Sequence, residues 1–267
     1  MTAMANNVQN DIRIIDVSKS FRNGDEQIRV LDDVTLDVAP GEFVCIVGPS
    51  GCGKTTLLKL IAGFDTDYEG ECLVGGKHHT GPSPDRGFVF QRPALFPWYN
   101  VTDNITLGPR AAGKPRESWS GEAAKLIRIM ALDGFESSYP YQLSGGMAQR
   151  VQLARVLINE PSALLMDEPF GALDYLTRLR MQQLVLRLHS EFAMTTVFIT
   201  HDVDEAVLMA DRVVVLSVRP GRILADIRIE LPKPRDVGVV GSAAYGEYKA
   251  KILALLGFSI DGKGAEH

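Results

Sequence analysis

Gly48-Pro49-Ser50-Gly51-Cys52-Gly53-Lys54-Thr55-Thr56 carries the spacing G-x-x-x-x-G-K-[ST], and its flanks decide what that spacing means. Before it, Phe43-Val44-Cys45-Ile46-Val47 is an apolar, β-prone run that predicts a buried strand. After it, residues 56–62 have helix-forming character. Strand, glycine loop and helix together suit a polyphosphate. Glycines let successive N–H groups converge on phosphate oxygens, and a helix N-terminus adds positive potential. In that setting the Lys54 ammonium neutralises terminal phosphates and the Thr55 hydroxyl ligates Mg²⁺. The bland alternative is a plain glycine turn, which the flanking strand and helix disfavour.

Outward from this stretch, residues 11–47 alternate short apolar runs with turn signals, which predicts antiparallel strands. Strand-like pieces follow at 70–74 and 87–90. Residues 92–142 differ: Pro93, Pro97, Pro109, Pro115 and Pro140 separate helical patches such as 121–131, which reads as a helical insertion. The pattern then alternates: helix 145–158, strand 163–167, helix 175–192, strand 196–200, helix 203–209, strand 212–216. Such alternation predicts a parallel sheet covered on both faces. Beyond residue 218 come a strand-like stretch, 223–231, and a short amphipathic piece, 248–256.

The chain has 267 residues, 45% hydrophobic and 23% charged, enough for one large α/β domain with a core. Its net charge of −5 provides no global basic field for nucleic acid. Three cysteines, Cys45, Cys52 and Cys72, show no metal-like pairing and read as reduced thiols of a cytosol. The first ten residues lack a signal-peptide pattern, and no apolar run approaches the ~18 residues that span a bilayer. The expectation is a chain soluble by itself.

Residues 163–167 form an apolar run ending in Asp167, with Glu168 next. A carboxylate at a strand's C-terminal edge can hold Mg²⁺, and its neighbour can deprotonate an attacking water. Residues 88–90 end in Gln91, and 196–200 end in His201. In a parallel sheet those strand ends share one edge, where ligands bind. Gln91 can bridge metal and water, and His201 can donate to a terminal phosphate or to the water. Taken singly, Gln91 reads as a surface amide and His201 as a structural imidazole; their placement at strand ends favours the functional reading.

A second glycine motif, Leu143-Ser144-Gly145-Gly146-Met147-Ala148-Gln149-Arg150, opens a helix whose buried face carries Met147, Val151, Ala154 and Ile158. Ser144 is placed as its N-cap. The motif is either a capped core helix or a second anion site at a helix N-terminus, and spacing alone leaves both open.

In this order the motifs resemble the nucleotide-binding subunit of ABC transporters across nearly the whole chain. The matching pieces are a Walker A loop at 48–55, a Q-loop at Gln91, a signature at 143–146, a Walker B at 164–168, a D-loop at Gly171-Ala172-Leu173-Asp174 and a switch at His201. The resemblance implies an α/β P-loop NTPase (RecA-like) parallel-sheet core, with an N-terminal antiparallel β subdomain and a helical subdomain insertion. It implies an ATPase domain at 11–218, the insertion at about 92–158, and a short C-terminal tail, 219–267, packing on the domain. ATP would contact Phe21, Gly48, Pro49, Ser50, Gly51, Cys52, Gly53, Lys54, Thr55 and Thr56. Mg²⁺ would be held by Thr55, Gln91 and Asp167, and catalysis would fall to Glu168, His201 and Gln91. The signature residues Ser144, Gly145, Gly146 and Gln149 would complete the ATP site of a second ATPase subunit, a second copy or a close paralogue. Asp174 would communicate across that dimer.

The stretch Pro93-Ala94-Leu95-Phe96-Pro97-Trp98 and residues 174–181 resemble the nitrate, sulfonate and taurine import group. That implies integral-membrane permease subunits docked at Phe96, Pro97 and Trp98, although the same residues suit a buried hinge. It also implies an extracytoplasmic solute-binding protein reached through the permease, no nucleic acid partner, and peripheral placement on the cytoplasmic face of the plasma membrane. Two departures stand out: Ala148 replaces a larger polar residue, and the tail is too short for a regulatory domain. A rival is a soluble ABC ATPase of a non-transport complex such as iron–sulfur cluster assembly. A nucleotide kinase would leave the signature and D-loop without a role.

Overall fold

The computed structural model describes residues 10–233, 235 and 238–258. Strands and helices are numbered in chain order. After β1 (Ile12–Asn23) and β2 (Glu26–Val38), β3 (Phe43–Val47) is buried at all five positions. Burial on both faces is what an unbroken apolar run predicts for a central parallel strand. β3 pairs in parallel with β8 (Thr195–Ile199) on one side and β9 (Arg212–Leu216) on the other. β7 (Ala163–Asp167) and β6 (Arg86–Val89) continue the parallel sheet to one edge. β10 (Ile223–Arg228) closes the other edge antiparallel to β9, so the strand order is β10-β9-β3-β8-β7-β6.

Alternation along these strands divides the interior into two cores. Phe43, Cys45, Val47, Leu164, Met166, Phe198, Val213 and Val215 face one core, which the helical insertion and the later helices cover. Val44, Ile46, Leu165, Val197, Ile199, Val214 and Leu216 face the other. There α1 (Lys54–Ala62) lies under an antiparallel sheet of order β2-β1-β4-β5, where β4 is Glu69–Val74 and β5 is Lys77–His78.

The insertion contains α2 (Val101–Ile105), α3 (Leu107–Ala111), α4 (Ser120–Ile129) and α5 (Gly145–Leu157). Of the face its spacing predicts, α5 buries Val151 and Ala154, Ile158 is buried just past its end, and Met147 is half-buried. The fully buried Gln152 ties this helix to the end of β6: its amide donates to Phe90 O (3.1 Å) and accepts from Ala94 N (2.9 Å). α6 (Tyr175–Phe192) starts where Asp174 accepts from Thr177 N, and α7 (Val203–Met209) where Asp202 accepts from two backbone N–H groups.

The segment after residue 218 supplies more than a tail. β10 is hydrogen-bonded into the main sheet, and Ile227, Ile229 and Leu231 enter its core. α8 (Ala243–Leu255) then binds α7, with Tyr245 Oη donating to Asp204 Oδ1 (2.6 Å) and Lys249 paired with Asp204 (2.9 Å). The boundary expected at 218 therefore falls inside a continuous sheet. The three cysteines are free and buried, and burial pushes the Cys72 thiol up to about 12. Among the described residues no helix is long and apolar enough to cross a membrane.

Candidate functional site: a phosphate loop at the strand edge

The loop between β3 and α1 takes its shape from its glycines. Gly53 sits at φ +104°, and a Cβ there would fall 2.6 Å from Leu31 Cδ2. A Cβ on Gly48 would fall 2.8 Å from Cys52 Sγ and 3.1 Å from Leu216 O. Only glycine allows the loop to lie this close to β2 and the end of β9. Helix α1 begins at Lys54, so Lys54 and Thr55 occupy its first turn. The N–H groups of Gly53, Thr55 and Thr56 donate to no acceptor among the described residues.

Lys54 is almost fully buried yet has no carboxylate partner among the described residues. Its ammonium donates to Gly48 O (2.7 Å) and Pro49 O (3.0 Å). A buried cation satisfied only by carbonyls, beside free N–H groups, is a fit for phosphate oxygens. The cleft in front of the loop has a volume of about 400 Å³ and is lined by Phe21, Ile28, Val30, residues of the loop, Glu168 and Arg219. Phe21 is exposed on this wall, with the Lys19 ammonium 4.9 Å from its ring centroid.

The strand ends converge as parallel pairing requires. Thr55 Oγ1 donates to Asp167 Oδ1 (3.0 Å), which joins the loop to the end of β7. Burial pushes the Asp167 carboxyl up, the Thr55 hydrogen bond pulls it down, and the neighbouring Glu168 charge adds to the rise. Glu168 adopts φ +44°, uncommon for a residue with a side chain, and its N–H donates to Ile199 O (3.0 Å). Its carboxylate lies 3.0 Å from His201 Nδ1 and 3.4 Å from Gln91 Nε2. Glu168 therefore sits between the two other residues expected at this edge.

A hydroxyl and a carboxylate facing one another form a hard-oxygen pair suited to Mg²⁺. Among the described residues no group of three or more His, Cys, Asp or Glu is arranged to hold a metal alone. Mg²⁺ held by one carboxylate together with substrate phosphates needs no such cage.

The signature stands apart from this cleft. Ser144 and Gly145 are exposed at the start of α5, where the Ser144 hydroxyl accepts from Met147 N (3.2 Å). Gly146 is buried, and a Cβ there would fall 2.5 Å from Thr177 Cγ2. This glycine has a packing duty against α6. Gln149 departs from expectation: it is 2% exposed and its amide reaches back to Phe90 O (3.4 Å). Facing inward, it is withdrawn from the exposed donors of the motif. Asp174 caps α6, and hydrogen bonding from Thr177 holds its carboxyl below the usual range.

Phe96, Pro97 and Trp98 are exposed on the insertion, Trp98 at 67%. Beside them a groove of about 460 Å³ is lined by Phe64, Phe88, Phe90, Phe96 and Arg155. Arg155 stacks over Phe96 (5.6 Å) and has no acidic partner among the described residues; burial alone lowers its pKa. Neither Arg155 nor Arg219 carries a motif spacing. Both are brought to their clefts by tertiary packing.

The fold and this edge define a P-loop nucleotide-binding protein. The family model described as "ABC transporter" matches residues 31–171. The chain is 43% identical to an aliphatic sulfonates import ATP-binding protein of Bacillus cereus, over 91% of this chain and 94% of that protein. It is 46% identical to a taurine import ATP-binding protein of Roseobacter denitrificans, over 81% of this chain and 80% of that protein. Among solved structures, a dimeric post-hydrolysis ATP-binding cassette bound to ADP and Pi aligns with a TM-score of 0.71 at 32% identity, covering 83% of this chain and 100% of that one. The chain belongs to the ABC transporter family, as an ATP-hydrolysing, ATP-binding subunit.

Proposed function

We propose that this subunit powers an importer for a small sulfonate, taurine, nitrate or a related solute, and that it works as a dimer clamped by ATP. The observation that carries the catalytic part is the Glu168 carboxylate, held between His201 and Gln91 beside the Thr55–Asp167 pair. In this reading Glu168 takes a proton from a water molecule as its oxygen bonds to the γ-phosphorus. The bridging P–O bond breaks, and ADP and phosphate leave. His201 orients Glu168 and the water; Lys54 and the free N–H groups of the loop hold the phosphates. Thr55 and Asp167, with Gln91, would hold Mg²⁺, which supplies charge neutralisation along the phosphates.

Ser144, Gly145 and Gly146 of a second subunit complete the site in this reading, and Asp174 lies at the contact between subunits. Their γ-phosphate contacts supply the differential affinity that favours the closed dimer. The permease docks at Phe96, Pro97 and Trp98, where exposed aromatics fit an interface. In this reading the subunit works at the cytoplasmic face of the membrane, with a solute-binding protein reached through the permease. The relatives named for sulfonate and taurine import support the solute class.

The test is reconstitution in proteoliposomes with the permease encoded beside this chain and its solute-binding protein. ATP inside the vesicle face that carries the subunit is expected to drive uptake of taurine, an alkanesulfonate or nitrate. Hydrolysis without uptake of any of them, together with co-purification of a soluble scaffold, would favour the assembly-type alternative.

A further inference from the structure

Among the described residues, Arg219 is the one basic side chain that lines the nucleotide cleft from outside the recognised motifs. It sits in the turn between β9 and β10, and that turn is pinned against the phosphate loop. Gly221 N donates to Val30 O (2.8 Å), and Asp32 N donates to Gly221 O (3.1 Å), tying the turn to β2. A Cβ on Gly221 would fall 2.1 Å from Cys52 O, so only glycine permits this approach. Ser217 Oγ donates to Pro220 O (2.8 Å) and accepts from Arg222 N (2.9 Å), closing the turn on itself.

The two arginines of this turn have different fates. Arg222 is neutralised: its guanidinium Nε lies 2.7 Å from Asp32, whose carboxyl it holds below the usual range. Arg219 has no carboxylate partner among the described residues. Its Nε donates to Gly51 O (3.2 Å), and the two terminal nitrogens have no protein acceptor there. The chain as a whole carries a net charge of −5, so a free guanidinium at this cleft is not part of a general basic surface.

We infer that Arg219 is a phosphate-binding residue, reaching the phosphate chain of the nucleotide from beside Gly51 of the loop. A planar guanidinium anchored through Nε presents its remaining N–H groups as a fork, which matches phosphate oxygens. The same bond to Gly51 O keeps the loop and the arginine in register, so the loop and its extra cation arrive together.

The inference rests on ATP as the ligand of this cleft, and binding measurements separate the two claims. The probes are ATP, ADP and adenosine, titrated against the full chain by displacement of a fluorescent ADP analogue. Arg219→Ala is expected to weaken ATP and ADP about tenfold and to leave adenosine unchanged. Arg219→Lys keeps the charge but loses the planar fork, and is expected to weaken ATP and ADP by less than Arg219→Ala without restoring the parent affinity. Melting temperatures measured in parallel show that each variant is folded. Equal weakening of adenosine and ATP would assign Arg219 to cleft shape and overturn the inference. So would unchanged ATP affinity in Arg219→Ala, while the ATP reading survives that result. A parent chain that binds no nucleotide overturns both.

Discussion

Residues 48–56 and residues 144–149 are both glycine-containing stretches that open a helix, and the difference between them lies in what each one faces. The first faces its own chain: Thr55 meets Asp167, Lys54 is buried among loop carbonyls, and Glu168 lines the same cleft. The second faces outward. Ser144 and Gly145 are exposed, and the N–H groups of Gly145 and Gly146 donate to no acceptor among the described residues. What lies behind the second stretch is packing, with Thr177 against Gly146 and Phe90 O against Gln149. One stretch is embedded in a nearly complete phosphate site, whereas the other has donors for an anion that its own chain does not bring to it.

The sharpest way to break this contrast is to disable each half separately. Glu168→Gln and Ser144→Arg are both expected to reduce ATP turnover by roughly 10²–10⁴-fold. They should differ in assembly: size-exclusion chromatography with ATP is expected to show a dimer for Glu168→Gln and only monomer for Ser144→Arg. Both should bind ATP as monomers with parent affinity. A Ser144→Arg chain that hydrolyses ATP at the parent rate would mean that the signature completes no site.

A smaller effect tests the packing side of the second stretch. Gly146→Ala places a methyl against Thr177 Cγ2 and is expected to cost about 1–3 kcal/mol, measured by urea denaturation. Gly145→Ala, whose Cβ meets nothing nearer than Leu173 at 4.0 Å, is expected to cost about 1 kcal/mol or less. Equal costs would remove the distinction between the exposed and buried glycines.

The smallest effect concerns the first stretch without nucleotide. Burial raises the Asp167 carboxyl in the folded chain, so ionising it opposes folding, and stability falls as pH rises through the window between its unfolded and folded pKa values. Asp167→Asn is therefore expected to raise Tm by about 2 °C at pH 7, with the gain vanishing below pH ~4. Turnover should be lost in the same variant. Such a trade of stability for chemistry is expected of a site built for a cation. A lower Tm at pH 7 would show that the Thr55–Asp167 hydrogen bond outweighs the cost of burial.

Much of the sheet was legible because each buried strand is an apolar run bounded by turn residues. The run 163–167 and the run 212–216 became β7 and β9 with those limits. β8 starts and ends one residue earlier than its run; just past its end the Thr200 N–H still donates to Ile46 O (3.3 Å), while its hydroxyl donates to Glu205 (2.6 Å) and accepts from Asp202 N (3.0 Å). α8 begins at Ala243, five residues before its amphipathic pattern, because Ser242 caps it and Tyr245 anchors its first turn on α7. The glycine loop, the carboxylates at 167 and 168, Gln91 and His201 could all be placed at strand ends from their neighbours alone.

The sequence by itself determined the strand, loop and helix around residues 48–56, because local apolar runs and glycine spacing have few ways to fold. It also determined which strand ends carry chemistry. Tertiary structure alone decided that Gln149 turns inward, that Gly146 is held by packing, that β10 joins the main sheet, and that Arg219 and Arg155 reach clefts without acidic partners among the described residues. The physical reason is range. Periodicity and capping act over a few residues, whereas the pairing or isolation of a charge depends on elements far apart in sequence that meet only after the chain has packed.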